Sequence, residues 1–157
     1  MNIIGKTTIH PFFFYSGKVF GYIIWMNSLI LLFGIDIVGK QPNSTLLFLS
    51  YLLFVIALII IILSLINLGR NTTLGLPLQN TKFVTAGLYR FSRNPTYLGF
   101  GLLTVASIIF AGSLIVLIAG ISSLAIYHFI ILGEEKFLEK KFGAEYIEYK
   151  KKVRRYI

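Results

Sequence analysis

Cysteine is absent from the 157 residues, which excludes disulfides, thiol nucleophiles and thiolate metal sites. Histidine is nearly absent: His10 and His128 stand far apart, too few and too distant for a dedicated metal centre. Acidic side chains are scarce, six against fifteen Lys and Arg, for a formal net charge of +9. In a soluble chain that excess would point to nucleic acid. Here the cations flank long apolar runs, so the lipid surface and membrane topology explain them, and no nucleic-acid partner is expected. Only 13% of the residues are charged and 56% are hydrophobic, with a mean hydropathy of +0.80. A soluble domain of this size could not hide that much apolar surface, so the class is an integral membrane protein. No small-residue cleavage site follows the first apolar core, which therefore reads as a retained span.

What is present is a series of apolar runs. Residues 1–17 read as an interfacial lead-in whose aromatics, Phe12 to Tyr15, lie at headgroup depth. Spans follow at about 18–35, 45–68, 95–110 and 114–132, each near the roughly 20 residues needed to cross a bilayer. Ala111, Gly112 and Ser113 form an uncharged turn between the last two. The fold class is therefore all-α: one membrane-embedded helical bundle with about four transmembrane helices. The tail 134–157 holds eight Lys or Arg and five Glu. Its Leu138, Phe142, Tyr146, Tyr149 and Val153 fall within an arc of about 80° at the helical period. That predicts a cytoplasmic amphipathic helix, broken at Gly143, able to lie on an anionic leaflet. The connection 69–95 carries Arg70, Lys82, Arg90 and Arg93 and no acid. With four spans, the chain start, this loop and the tail share one side, and their cations make it the cytoplasm.

The densest polar stretch, Gly87–Gly99, reads GLYRFSRNPTYLG. The topology brings it to the same level as Glu134 and Glu135, because spans three and four form a hairpin between them. Asn94-Pro95 is a helix start, with Asn able to cap and Pro suited to the first helical position. Free amides of that first turn beside Arg93 favour a carboxylate or phosphate. Arg90 and Arg93 also fit as positive-inside anchors, and Tyr89 and Tyr97 as belt tyrosines. Adjacent carboxylates at a helix C-terminus oppose the dipole and call for a cation or a ligand. His128, two turns before Glu135, reads as an interior histidine with a hydrogen-bond partner.

The run Phe83-Val84-Thr85-Ala86-Gly87-Leu88-Tyr89-Arg90, followed by Arg93-Asn94-Pro95-Thr96-Tyr97-Leu98-Gly99, resembles the Arg-His-Pro-x-Tyr signature of the isoprenylcysteine carboxyl methyltransferase and phospholipid methyltransferase superfamily. Glu134-Glu135-x-x-Leu138, Phe142-Gly143, Tyr146, Tyr149 and Val153 are similar to its second half in order and spacing. The resemblance runs from Gly69 to Arg155 and implies S-adenosylmethionine as cofactor. By position it implies that Thr81, Lys82, Phe83 and Val84 line the cofactor pocket and that Tyr89 closes over it. Asn94, Pro95, Thr96 and Tyr97 would meet its polar end, Glu134 would take a hydrogen bond or ion pair from it, and Arg93 would stand near the reaction centre or the cofactor carboxylate. Two positions depart from the pattern. Asn94 replaces the signature histidine; it hydrogen-bonds but takes no proton, so the turn positions and is no base. Ile130 replaces an arginine that contributes to substrate binding in the isoprenylcysteine enzymes, which weakens the case for a prenylcysteine carboxylate.

The expected activity is methyl transfer to a lipophilic acceptor, such as an isoprenylcysteine-like carboxylate, a phospholipid or another lipid-soluble molecule, within a membrane. Two other readings stand beside it. Sterol C14-reductases resemble this group around an Arg-x-Pro-x-Tyr turn and use NADPH. A non-catalytic membrane subunit with a lipid-binding basic tail is the third.

Overall fold

The computed structural model describes residues 10–35, 37–39, 42–69 and 83–157, and all regular structure among them is helical. Helix α1 (Pro11–Leu32) starts on a proline, whose missing donor costs nothing at the first helical position. Phe14 is buried against Tyr127 and Ile130, while Phe12, Phe13 and Tyr15 face outward. The aromatic run is therefore the first turn of α1, which begins at residue 11 instead of about 18, with Phe14 turned into the core and the other three rings outward.

Helix α2 (Ser44–Leu68) matches the expected second span. Asn43 caps it, accepting from the Leu46 amide at 3.0 Å, and Gly69 ends it at φ +53°. Its outer face exposes Phe48, Leu52, Val55, Ile59, Ile62 and Ile66, a continuous apolar stripe that suits lipid and not water. Among the described residues, α2 and α4 are long and apolar enough to cross a membrane.

Helix α3 (Pro95–Ala111) packs along α2. Small residues allow the approach: a Cβ on Gly99 would stand 2.6 Å from Ile61 Cγ1 and 3.2 Å from the Ala57 carbonyl oxygen. Gly112, left-handed at φ +54°, and extended Ser113 make the expected tight turn into α4 (Leu114–Phe142). Helix α1 is tied across to α3 and α4. Trp25 Nε1 donates to Thr104 Oγ1 at 3.1 Å, and Ser123 Oγ donates to the Gly17 carbonyl at 3.0 Å.

The last quarter departs most from expectation. Helix α4 does not stop near 132 but runs unbroken through Gly133 to Phe142. Its i→i−4 ladder tolerates one glycine at a cost of about 1 kcal/mol. The break falls at Gly143, as the sequence suggested, and α5 (Ala144–Lys152) turns back. Tyr146, Tyr149 and Val153 then pack against Phe83, Leu138 and Phe142. The apolar arc of the tail is thus covered by the chain itself and is not free to lie in a leaflet.

Candidate functional site

Two polar clusters occupy the end of the bundle where α3 begins. The first centres on Glu135, which is buried on α4. Arg93 Nε and Nη2 donate to its two oxygens at 3.1 and 3.2 Å, Asn94 Nδ2 donates at 3.1 Å, and Arg155 Nε and Nη2 donate at 3.1 and 3.0 Å. Five charge-assisted or amide donors satisfy one carboxylate, the arrangement a buried charge requires. Its bond to Glu135 also pushes the Arg155 guanidinium further above its ordinary range.

The same residues strap the C-terminus down. Arg93 Nη1 donates to the carbonyls of Val153 at 2.7 Å and Lys150 at 3.4 Å, and the Arg93 amide donates to the Arg154 carbonyl at 2.9 Å. Asn94 Nδ2 and Ser92 Oγ both donate to the Arg155 carbonyl. Asn94 was expected to cap α3 with its side chain, and it does not. Its Nδ2 donates to the Glu135 carboxylate and the Arg155 carbonyl, and those two bonds set the side chain's orientation. Tyr149 closes the strap by donating to the Tyr89 carbonyl at 2.6 Å, and burial pushes its phenol up, so it stays a donor.

The second cluster lies round the first turn of α3. Tyr97 donates to Glu134 Oε1 at 2.6 Å. The other Glu134 oxygen has no partner among the described residues. Lys18 of α1 bears on Glu134 electrostatically, with its Nζ 4.2 Å above the Phe14 ring and no hydrogen-bond partner of its own among the described residues. Thr96 Oγ1 bonds Ser64 of α2 at 2.9 Å and the Tyr89 hydroxyl at 3.4 Å, and burial pushes the Tyr89 phenol up. Tyr97 also stands beside Tyr127 and Phe100 as an aromatic wall. The spare carboxylate oxygen and the spare ammonium together complement a zwitterion: one accepts from an ammonium, the other donates to a carboxylate.

Of the residues singled out in the sequence, the structure brings together Tyr89, Thr96, Tyr97 and Glu134 in this second cluster, and Arg93 and Asn94 in the first. Pro95 is buried between them as the first residue of α3. Phe83 stacks on Phe142 at 5.1 Å and belongs to the aromatic core under α5, while Val84 is half-buried just after it. Thr81 and Lys82 lie outside the described residues. His128 has the interior partner foreseen for it: Nδ1 is 2.6 Å from the Tyr156 hydroxyl. Lys18, Ser64 and Arg155 were not singled out. Arg155 is one cation in a basic run, and Lys18 and Ser64 sit in apolar helices far from any motif, so only the tertiary packing distinguishes them.

A helical membrane protein with a polar, zwitterion-complementary site at one end of its bundle is the class these features define. A family model described as phospholipid methyltransferase matches residues 45–145. That is well over half the chain, from the start of α2 through the Arg93 turn and Glu135 on α4, and the chain belongs to this family of membrane methyltransferases. Lys18 and the strap from Tyr146 onward fall outside the matched residues. Among curated proteins, none matches the chain significantly.

Proposed function

We propose that the chain transfers a methyl group from S-adenosylmethionine to a lipophilic acceptor within the membrane. The observation that carries this is Glu134: one oxygen is held by Tyr97, the other has no hydrogen-bond partner among the described residues, and the Lys18 ammonium, seated over the Phe14 ring, bears on it electrostatically. Those two groups suit the ammonium and carboxylate of the cofactor's amino-acid end. The faces of Tyr89 and Tyr97 suit its sulfonium and adenine.

The cofactor, when bound, supplies a methyl already activated on a sulfonium, so the protein must chiefly bind, align and exclude water. Glu134 holds the amino end, and Tyr97 fixes the carboxylate's rotamer. Thr96, held by Ser64 and Tyr89, sets the first turn of α3 against α2. Pro95 gives that turn its fixed start; the resemblance also implies a cofactor role for Thr81, Lys82, Phe83 and Val84, of which Phe83 packs in the aromatic core under α5. Arg93 and Asn94 are positioning residues. Their donors are engaged by Glu135 and the strap, which holds α4 and α3 in register. Asn94 takes no proton, so the acceptor nucleophile arrives deprotonated or loses its proton elsewhere. The apolar acceptor enters from the bilayer and the cofactor from the cytoplasm. Helices α1 to α4 span the membrane, and the chain start, the 69–95 connection and the C-terminus face the cytoplasm, as the basic residues direct.

Calorimetric titration of the protein in nanodiscs with S-adenosylmethionine and its demethylated product tests this. Binding of both is expected, with Glu134→Gln weakening it by roughly 10- to 100-fold, the effect of losing one or two charge-assisted bonds. No binding by the native protein would overturn the proposal.

A further inference from the structure

The proposed methyl transfer leaves His128 without a task. Toward the middle of the bundle, α3 and α4 leave an apolar groove of about 270 Å³, near the lower end of small-molecule sites. Leu98, Leu102, Leu124 and Ile131 form its sides, and exposed Val105 opens it to the outer surface of the bundle. The groove is part of the proposed methyl-transfer site, because the Tyr97 ring lines it while the Tyr97 hydroxyl holds Glu134. Among the described residues that line it there is no Lys, Arg, Asp or Glu. Its polar side-chain atoms come from Tyr97, Tyr127, His128 and Tyr156. Tyr97 is engaged by Glu134, and the Tyr127 hydroxyl bonds Ser123. His128 Nδ1 is 2.6 Å from the Tyr156 hydroxyl, and Nε2 has no hydrogen-bond partner among the described residues.

With Nδ1–H donating to the Tyr156 oxygen, Nε2 carries the free lone pair of a proton acceptor, and Tyr156 fixes the tautomer. His128 lies six residues before Glu134 on the unbroken helix α4, about 9 Å along its axis. A proton acceptor there stands away from the amino-acid end that Glu134 would hold. We propose that His128 is the general base of the methyl transfer and that the acceptor is an uncharged lipophilic phenol; this rests on the methyl-transfer reading. A groove lined by no charged side chain has nothing to neutralise a phosphate or a carboxylate. An uncharged hydroxyl must shed its proton as it is methylated. A phenol, with a pKa of about 10, is acidic enough to yield that proton to an imidazole, and an aliphatic hydroxyl is not. The rings of Tyr97 and Tyr127 offer it an aromatic wall. In the step, the phenol oxygen forms the new O–C bond to the methyl. The S–C bond breaks with its electron pair left on sulfur, and the O–H proton passes to His128 Nε2. The positive charge moves from sulfonium to imidazolium, so charge and atoms balance.

Nuclear magnetic resonance of the full chain in nanodiscs, carrying isotope-labelled histidine, tests this without turnover. The chain has two histidines, and a His10→Gln background leaves His128 alone in the spectrum. Adding para-heptylphenol should shift the Nε2 resonance, and para-heptylanisole, which has no proton to give, should not. With methyl-labelled S-adenosylmethionine, para-heptylphenol should become its methyl ether and decanoate should not be esterified. His128→Gln should lower kcat for the phenol about 100-fold, the contribution of a general base. Tyr156→Phe should lower it about tenfold by freeing the ring. Both variants should bind the methyl donor, and melt, as the native chain does, which separates loss of the base from loss of the fold. An unmoved Nε2 resonance would overturn the proposal, as would equal kcat in the native chain and His128→Gln, or label entering decanoate in preference to the phenol. A native chain that binds no methyl donor overturns the methyl-transfer reading itself; one that binds the donor but fails these tests overturns only the assignment of His128 and the phenol.

Discussion

Removing the Glu135 carboxylate as Glu135→Ala should unfasten the C-terminus before it affects anything else. Glu135 and Arg93 are nearly out of solvent, at 5% and 9% side-chain exposure, whereas Arg155 is a third exposed. Taking one partner from a buried pair costs about 3–5 kcal/mol, because the remaining charge is left uncompensated. The Arg155 contact adds about 1 kcal/mol at most, since it is partly screened. Arg93 keeps its bonds to the Val153 and Lys150 carbonyls, so the lower end, about 3 kcal/mol, is the expected net loss. For a chain of this length that lowers the melting temperature by about 6–12 °C. The assay is thermal unfolding in one detergent, followed by the fluorescence of Trp25, the single tryptophan, alongside proteolysis of the strap. The comparator is Glu139→Ala, which breaks the half-exposed pair with Lys150 and should cost less than about 1 kcal/mol. If the two substitutions shift the melting temperature equally, the buried knot is not what holds the tail, and the reasoning fails.

Other substitutions test other joints. Gly99→Ala should cost about 1–3 kcal/mol by forcing α2 and α3 apart, since the added methyl meets Ile61 and the Ala57 carbonyl; the melting temperature reads it. Asn67 Oδ1 accepts from the Leu88 amide at 2.8 Å and ties the end of α2 to the turn Gly87–Arg90. Asn67→Ala should therefore cost about 1–3 kcal/mol and speed amide exchange at Leu88. Tyr149 is protonated in both the folded and unfolded chain below its ordinary value of 10.0, so its bond to Tyr89 contributes fully there. Above 10.0 the unfolded chain ionises first and stability falls as pH rises toward the higher folded value. Melting temperatures should drop across that alkaline limb, and Tyr149→Phe should remove part of the drop while lowering the neutral-pH value.

Helices α2 and α3 and the turn before α4 were legible because length and hydropathy mark the spans, Pro95 marks the first residue of α3, and Ala111, Gly112 and Ser113 mark the turn. The start of α1 was misjudged because an aromatic run beside a polar lead reads equally as an interface, and only Tyr127 and Ile130 across the bundle show which ring goes inward. The tail was half legible. Its arc and its break at Gly143 were in the spacing, but periodicity records that a face is apolar and not what covers it, and Phe83 covers it from far away in the chain. The site divides in the same way. The motif turns put Arg93, Asn94, Tyr97 and the glutamate pair at one level. That Glu135 takes both arginines and Glu134 takes neither depends on a 100° rotation between adjacent residues, which no motif expresses.

The central claim is that the Tyr97–Glu134 end of the bundle serves methyl transfer to a lipophilic acceptor. Its most direct measurement is the incorporation of label from methyl-labelled S-adenosylmethionine into the organic extract of membranes bearing the native chain or Glu134→Gln, at matched protein levels and matched melting temperatures. The account predicts labelled lipid-soluble product with the native chain and a loss of at least about tenfold with the variant. Label that is absent from the native extract, or equal in both, would contradict it.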